Sequence, residues 1–197
     1  MLIPGGAFML RAFFPAAALC LLTALVAIAD DPVSGPKVGE SLTAFEIELA
    51  TGDQAGETVD PLESIKDKPA LIIFVSDLTR PGFGLLKLLD KYARIRQPEG
   101  LESLIVWTTD DAPAALKRAK LYYEQYDIKS TAGAAKEGRS GPKEYGLNDE
   151  AAMTILLIDK ERKVLMNIAR RAPERQDFDD IRRSVDKLLG PSPVPFP

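Results

Sequence analysis

The sequence predicts an α/β domain with a central mixed β-sheet flanked by helices on both faces, and three observations carry that prediction. Ala70-Leu-Ile-Ile-Phe-Val75 is an uninterrupted apolar run bounded by turn signals, which suits a central strand buried on both sides. From there strand and helix patterns alternate as far as Tyr126, which implies parallel pairing through right-handed crossovers. Two further β-runs, Met153 to Asp159 and Lys163 to Ile168, are joined by Lys160-Glu161-Arg162 in the manner of a hairpin.

Taken in order, residues 30–37 are polar and contain two prolines, so they predict a linker, with the domain proper over residues 38–190. Phe45-Glu-Ile-Glu-Leu49 alternates apolar and charged positions and predicts a half-buried strand. Turn residues fill Thr51 to Gly56, and Pro61 to Ile65 supplies one helical turn. After the central strand, Phe83, Leu85, Leu86, Leu88, Leu89, Tyr92, Ala93 and Ile95 recur at helical spacing, and the helix ends before Pro98-Glu99-Gly100. Leu101 to Thr108 is the next strand, and Pro113 to about Tyr126 the next helix. Ser130 to Pro142, rich in small residues, reads as the most flexible interior segment. A last helix runs from about Glu174 to Leu189 and stops at Gly190-Pro191, leaving residues 191–197 as an extended, disordered, proline-rich tail. There is no internal repeat.

The N-terminus has a different character. Phe13 to Ala29 carries no charge, follows the lone Arg11, and ends in Ala27-Ile-Ala29 before Asp30-Asp31. A basic flank, an apolar stretch and a small-x-small site form the pattern of an export signal over residues 1–29, with translation starting at Met1 or Met9 and cleavage after Ala29. The alternative is an uncleaved anchor, because a 17-residue run sits at the lower end of the roughly 17–25 residues that span a bilayer. The expected location is periplasmic or extracellular.

Removing this segment with Arg11 leaves 24 basic against 29 acidic residues, a net charge of −5, and no cysteine or histidine. Such a domain forms no disulfide. Its basic residues are scattered among acids, so it shows no electrostatic footprint for nucleic acid.

Several phrases resemble the thioredoxin-like superfamily, in particular its redoxin branch of exported thiol oxidoreductases and peroxiredoxins. They are Val38-Gly39, Phe45-Glu-Ile47 and Gly52, then Lys68-Pro-Ala-Leu-Ile-Ile-Phe74, then Tyr145-Gly-Leu147 with Thr154-Ile-Leu-Leu-Ile-Asp-Lys160. The resemblance covers about Val38 to Leu189. It implies a redox pair in the loop after the central strand and a cis-proline facing it. The thiol positions fall at or near Thr79 and Gly82, around Arg80-Pro81, and the proline position falls near Met153. None of the three residues matches. Thiol exchange and peroxide reduction both need a thiolate nucleophile, and a threonine hydroxyl in a chain without histidine is no substitute. The expectation is a domain without disulfide reductase, isomerase or thiol peroxidase activity.

Other candidate sites each carry a structural alternative. Thr79-Arg80 at a helix start can hold an anion or simply cap the helix. The pairs Asp110-Asp111, Asp149-Glu150 and Asp179-Asp180 offer only oxygen ligands, lack calcium-loop spacing, and read as surface or helix-start carboxylates. Trp107 and one of Tyr122, Tyr123 and Tyr126 are expected in the core, with the remaining tyrosines on its rim. The functional reading is a protein-binding or scaffolding module that works through the degenerate edge: Asp77, Thr79, Arg80, Pro81, Gly82 and Met153. That edge lies at the carboxyl ends of strands, where open α/β sheets place ligands. The expected partner is another exported protein, with no cofactor, metal or nucleic acid, and with membrane contact only through an uncleaved signal segment. The alternative reading is an enzyme or enzyme subunit with non-thiol chemistry or ligand binding.

Overall fold

A computed structural model describes residues 30–196; the segment read as an export signal, with Cys20, lies outside the described residues. Seven strands form one mixed sheet: β1 (Ile47–Leu49), β2 (Thr58–Val59), β3 (Ala70–Val75), β4 (Glu102–Trp107), β5 (Thr131–Ala135), β6 (Met153–Ile158) and β7 (Val164–Arg170), in the spatial order β2-β1-β5-β4-β3-β6-β7. The helices are α1 (Pro61–Ser64), α2 (Arg80–Arg96), α3 (Ala112–Tyr126) and α4 (Asp177–Leu189). The expected crossovers are present: β3 pairs parallel with β4, and β4 parallel with β5. The expected hairpin is β6–β7, with a register shift between Leu157 and Ile158.

Strand alternation divides the core in two. Leu71, Ile73 and Val75 face a cluster that includes Leu85, Leu89 and Tyr92 of α2, Ala115 and Ala119 of α3, and Ile181 and Val185 of α4. Ala70, Ile72 and Phe74 face the other way, against Leu42, Phe45, Leu62, Ile65 and Tyr145. Helices therefore lie on both faces, but unequally. The three long ones share one side, α2 and α3 because two successive crossovers of one hand require it and α4 by packing beside them, while the single turn α1 and the chain before β1 cover the other.

Strand β5 lies inside the segment read from sequence as flexible. Its residues, Thr-Ala-Gly-Ala-Ala, have little intrinsic strand preference. Tertiary packing requires their small size: a Cβ on Gly133 would stand 2.6 Å from the backbone oxygen of Glu48 on the neighbouring β1. The turn into β5 is held by Asp90 of α2, buried at 2 % exposure, whose Oδ1 accepts hydrogen bonds from the amides of Lys129 (2.8 Å) and Ser130 (2.7 Å) and from the Ser130 hydroxyl (2.8 Å).

Two boundaries differ from the sequence reading. Residues 31–36 are docked on the domain instead of linking to it. Ser34 is buried and shares a 2.7 Å hydrogen bond with Thr154, Asn167 Nδ2 donates to the carbonyls of Ser34 and Pro36, and Asp31 pairs with Arg170 at 3.0 Å. Backbone carbonyls in this polar stretch meet side-chain donors that the sequence pattern does not display. The tail, expected to be disordered, is described as far as Phe196, whose ring packs on Tyr92 and Phe178.

Arg96 is the largest fully buried side chain and joins α2 to α4. Its guanidinium donates to both carboxylate oxygens of Glu99 (2.7 and 2.9 Å), to Asp186 (2.6 Å), to the Tyr92 hydroxyl (2.8 Å) and to the Gly190 carbonyl (2.7 Å). The buried charge is thereby paired and its donors are directed to fixed acceptors.

Candidate functional site

The carboxyl end of β3 runs into the loop Ser76 to Thr79, which is tied to the entry of β6. Ser76 and Asp77 both donate their amides to the Ala152 carbonyl (3.1 and 3.3 Å), and the Ser76 hydroxyl donates to the Ala151 carbonyl at 2.6 Å. Thr79 then takes an extended conformation (φ −73°, ψ 166°) and caps α2, its Oγ1 accepting from the Gly82 amide at 3.3 Å. Pro81 occupies the first turn, where its missing N–H leaves no acceptor unsatisfied. The two positions that the family resemblance assigns to thiols are thus the cap and a first-turn residue of one helix.

Their surroundings differ sharply. Asp77, Thr79, Arg80 and Pro81 are exposed, whereas Gly82 is buried. A Cβ built on Gly82 would lie 2.9 Å from Cγ of Pro173 and 3.2 Å from Thr79 Oγ1. Pro173 is fixed by the turn that starts α4: Asp177 accepts from the Glu174 amide (2.8 Å) and from Arg170 Nε (2.6 Å). A pyrrolidine ring held in this way closes the second thiol position.

Met153 corrects the proposed contact surface. It is fully buried, pairs with Val75 on one side and Arg170 on the other, and belongs to the helix-side core. As the first residue of a central strand its side chain alternates inward, so it cannot meet a partner. Among the described residues there is no cis peptide bond.

The acidic pairs take helix-start and surface roles. Asp111 caps α3 by accepting from the Ala114 amide (3.1 Å), Asp110 accepts from the Arg139 amide (3.0 Å), Glu150 pairs with Arg171 (2.8 Å), and Asp180 pairs with Arg183. Among the described residues no group of three or more acidic, cysteine or histidine side chains is gathered in a metal-binding arrangement. Asp110 also borders a depression of about 520 Å³ beyond the ends of β4 and β5, shared with Glu48, Thr109, Lys136, Gly138 and Lys143.

Trp107 lies in the core at 4 % exposure, and among the described residues its Nε1 has no hydrogen-bond partner. Tyr122 packs 6.1 Å from it, and Tyr126 remains 44 % exposed. Sequence reasoning expects Trp107 and an unspecified one of the tyrosines in the core; Trp107 is there, Tyr122 packs partly buried against it, and Phe83, whose ring stands 4.7 Å from Tyr122 and 5.0 Å from Tyr126, was not assigned to this group. Its helical phase marks it as apolar; only the approach of α3 to α2 assigns it to this aromatic group.

No protein-family model matches the sequence, and no curated protein matches it. Solved structures do. A hypothetical protein from Sinorhizobium meliloti superposes with a TM-score of 0.64 at 19 % identity, covering 81 % of this chain and 88 % of its own. A putative thiol:disulfide interchange protein DsbE from Chlorobium tepidum gives 0.61 at 17 % identity, covering 78 % and 99 %. The reduced 2-Cys peroxiredoxin of Plasmodium vivax gives 0.60 at 22 % identity, covering 78 % and 83 %. The chain therefore has a thioredoxin-like fold, and its one cysteine, Cys20, lies outside the described residues.

Proposed function

We propose that the protein is an exported thioredoxin-like domain without thiol chemistry, acting as a binding or scaffolding module through the exposed edge formed by Asp77, Thr79, Arg80 and Pro81. The observation that carries this reading is the fate of the second thiol position. Gly82 packs against Pro173, so no side chain fits at this position unless Pro173 shifts. Thr79 spends its hydroxyl as a cap acceptor, and no histidine exists to activate it. Insulin disulfides and peroxide are then not turned over. The segment 13–29 supports export, and the partner on this reading is another exported protein.

The test is affinity purification from the native envelope extract, comparing the wild-type chain with a Thr79→Tyr, Arg80→Glu double variant. Stoichiometric recovery of one protein by the wild type alone supports the reading; equal recovery by both, or recovery by neither, removes it. A second reading, a small polar ligand, is favoured by the depression beside Thr109, Asp110, Lys136 and Lys143, which lies at the strand ends where such sheets bind ligands. A ligand screen followed by the fluorescence of Trp107, the sole tryptophan, tests it.

A further inference from the structure

The tail Pro191-Ser-Pro-Val-Pro-Phe196 leaves α4 at Gly190, whose carbonyl is held by Arg96. Its far end is held by a single side chain. The Phe196 ring stands 5.3 Å from Tyr92 of α2, nearly perpendicular to it, and 4.9 Å from Phe178 of α4, with the Lys91 ammonium 5.7 Å from its centroid. Between these ends Pro193, Val194 and Pro195 are exposed. Among the described residues no hydrogen bond joins residues 191–196 to the body of the domain; the Ser192 hydroxyl bonds within the tail, to the Val194 carbonyl. Phe178 and Phe196 also wall an open depression of about 590 Å³ rimmed by Arg175, Asp179 and Arg182.

A proline-stiffened segment loses little conformational freedom when it binds. Anchored by one ring, it is also readily exchanged. We propose that the aromatic seat formed by Tyr92 and Phe178 is a recognition site for a proline-flanked phenylalanine, held closed in cis by this chain's own tail, and that a partner bearing such a segment enters by displacing Phe196. The chain's own Pro-Phe seated there shows the chemistry that the site accepts: an aromatic ring against two others, a cation beside it, and a backbone that requires no strand partner. This site is separate from the Thr79–Arg80 edge and stands whether or not that edge binds protein.

The probe is a fluorescently labelled Pro-Ser-Pro-Val-Pro-Phe-Pro peptide titrated with the full chain as wild type, Phe196→Ala and Phe196→Tyr, read by anisotropy. Phe196→Ala is expected to bind it saturably and at least about tenfold more tightly than the wild type, because the intramolecular competitor is removed. Phe196→Tyr keeps a ring and is expected to match the wild type, which separates release of the plug from a loosened fold. A peptide with alanine for phenylalanine is expected to bind to none of the three. Equal binding by Phe196→Ala and wild type, or no binding by any of them, overturns the proposal.

Discussion

Pro173 Cγ lies 2.9 Å from where the first side-chain atom of residue 82 would be, so the residue that closes the edge belongs to the loop before α4, 91 positions away in the sequence. The ring is the end of a short chain of restraint, Arg170 to Asp177 to the Glu174 amide.

Gly82→Ala is therefore expected to lower stability, although alanine is the better helix former by about 1 kcal/mol. Overpacking against a rigid ring costs about 1–3 kcal/mol and outweighs that gain. In a Pro173→Ala background, which removes Cγ, the penalty should vanish or reverse. Urea unfolding of the four proteins checks this, and additive effects would show that the two residues do not meet.

Arg96→Ala leaves Glu99, Asp186 and the Gly190 carbonyl without their shared donor, and removing one member of a buried ionic group typically costs about 3–5 kcal/mol. The urea midpoint should fall accordingly. Because Arg96 joins α2 to α4, amide protons of both helices should exchange faster in the variant; a change confined to α2 would contradict the bridging role.

Asp90→Ala removes the acceptor of the part-buried Lys129 amide and of the buried Ser130 amide and hydroxyl at the turn into β5. Unsatisfied donors cost about 1–3 kcal/mol each when burial keeps water away. A loss of about 3 kcal/mol is expected, and Asp90→Asn, which keeps one acceptor oxygen, should recover part of it.

Two tyrosines make the fold sensitive to alkali. Burial, followed by the hydrogen bond to Asp186, pushes the Tyr92 hydroxyl up from about 10 to about 12. Burial, followed by the charge of Asp60, pushes Tyr145 upward as well. Both groups hold their protons more tightly in the folded chain, so their contribution to stability is complete below pH 10 and is lost as the pH rises through the folded values. Stability should fall steeply between pH 10 and 12, and less so in Tyr92→Phe. Tyrosinate absorbance checks the assignment: in the native chain Tyr92 should ionise only near pH 12.

Much of this fold could be read from the chain because its signals are local. The Ala70–Val75 run, the helical spacing after Arg80, the cap residues Thr79 and Asp111 and the β6–β7 hairpin each state their structure within a few residues. The lack of thiols over residues 38–190 is equally plain, since the one cysteine in 197 residues is Cys20.

Tertiary structure decided what depends on distant partners. Thr131 to Ala135 becomes a strand because β1 and β4 accept its backbone and its small residues let β1 approach; its own preferences say otherwise. Met153 changes from candidate contact to core because strand register, invisible in one segment, turns its side chain inward. Ser34 and Phe196 are ordered by Thr154 and Asn167, and by Tyr92 and Phe178, residues far from them in sequence. Composition alone determined that this domain has no thiol to offer. Whether the start of α2 is an open slot or a packed surface depended on where α4 begins, and only the packing of Pro173 against Gly82 sets that.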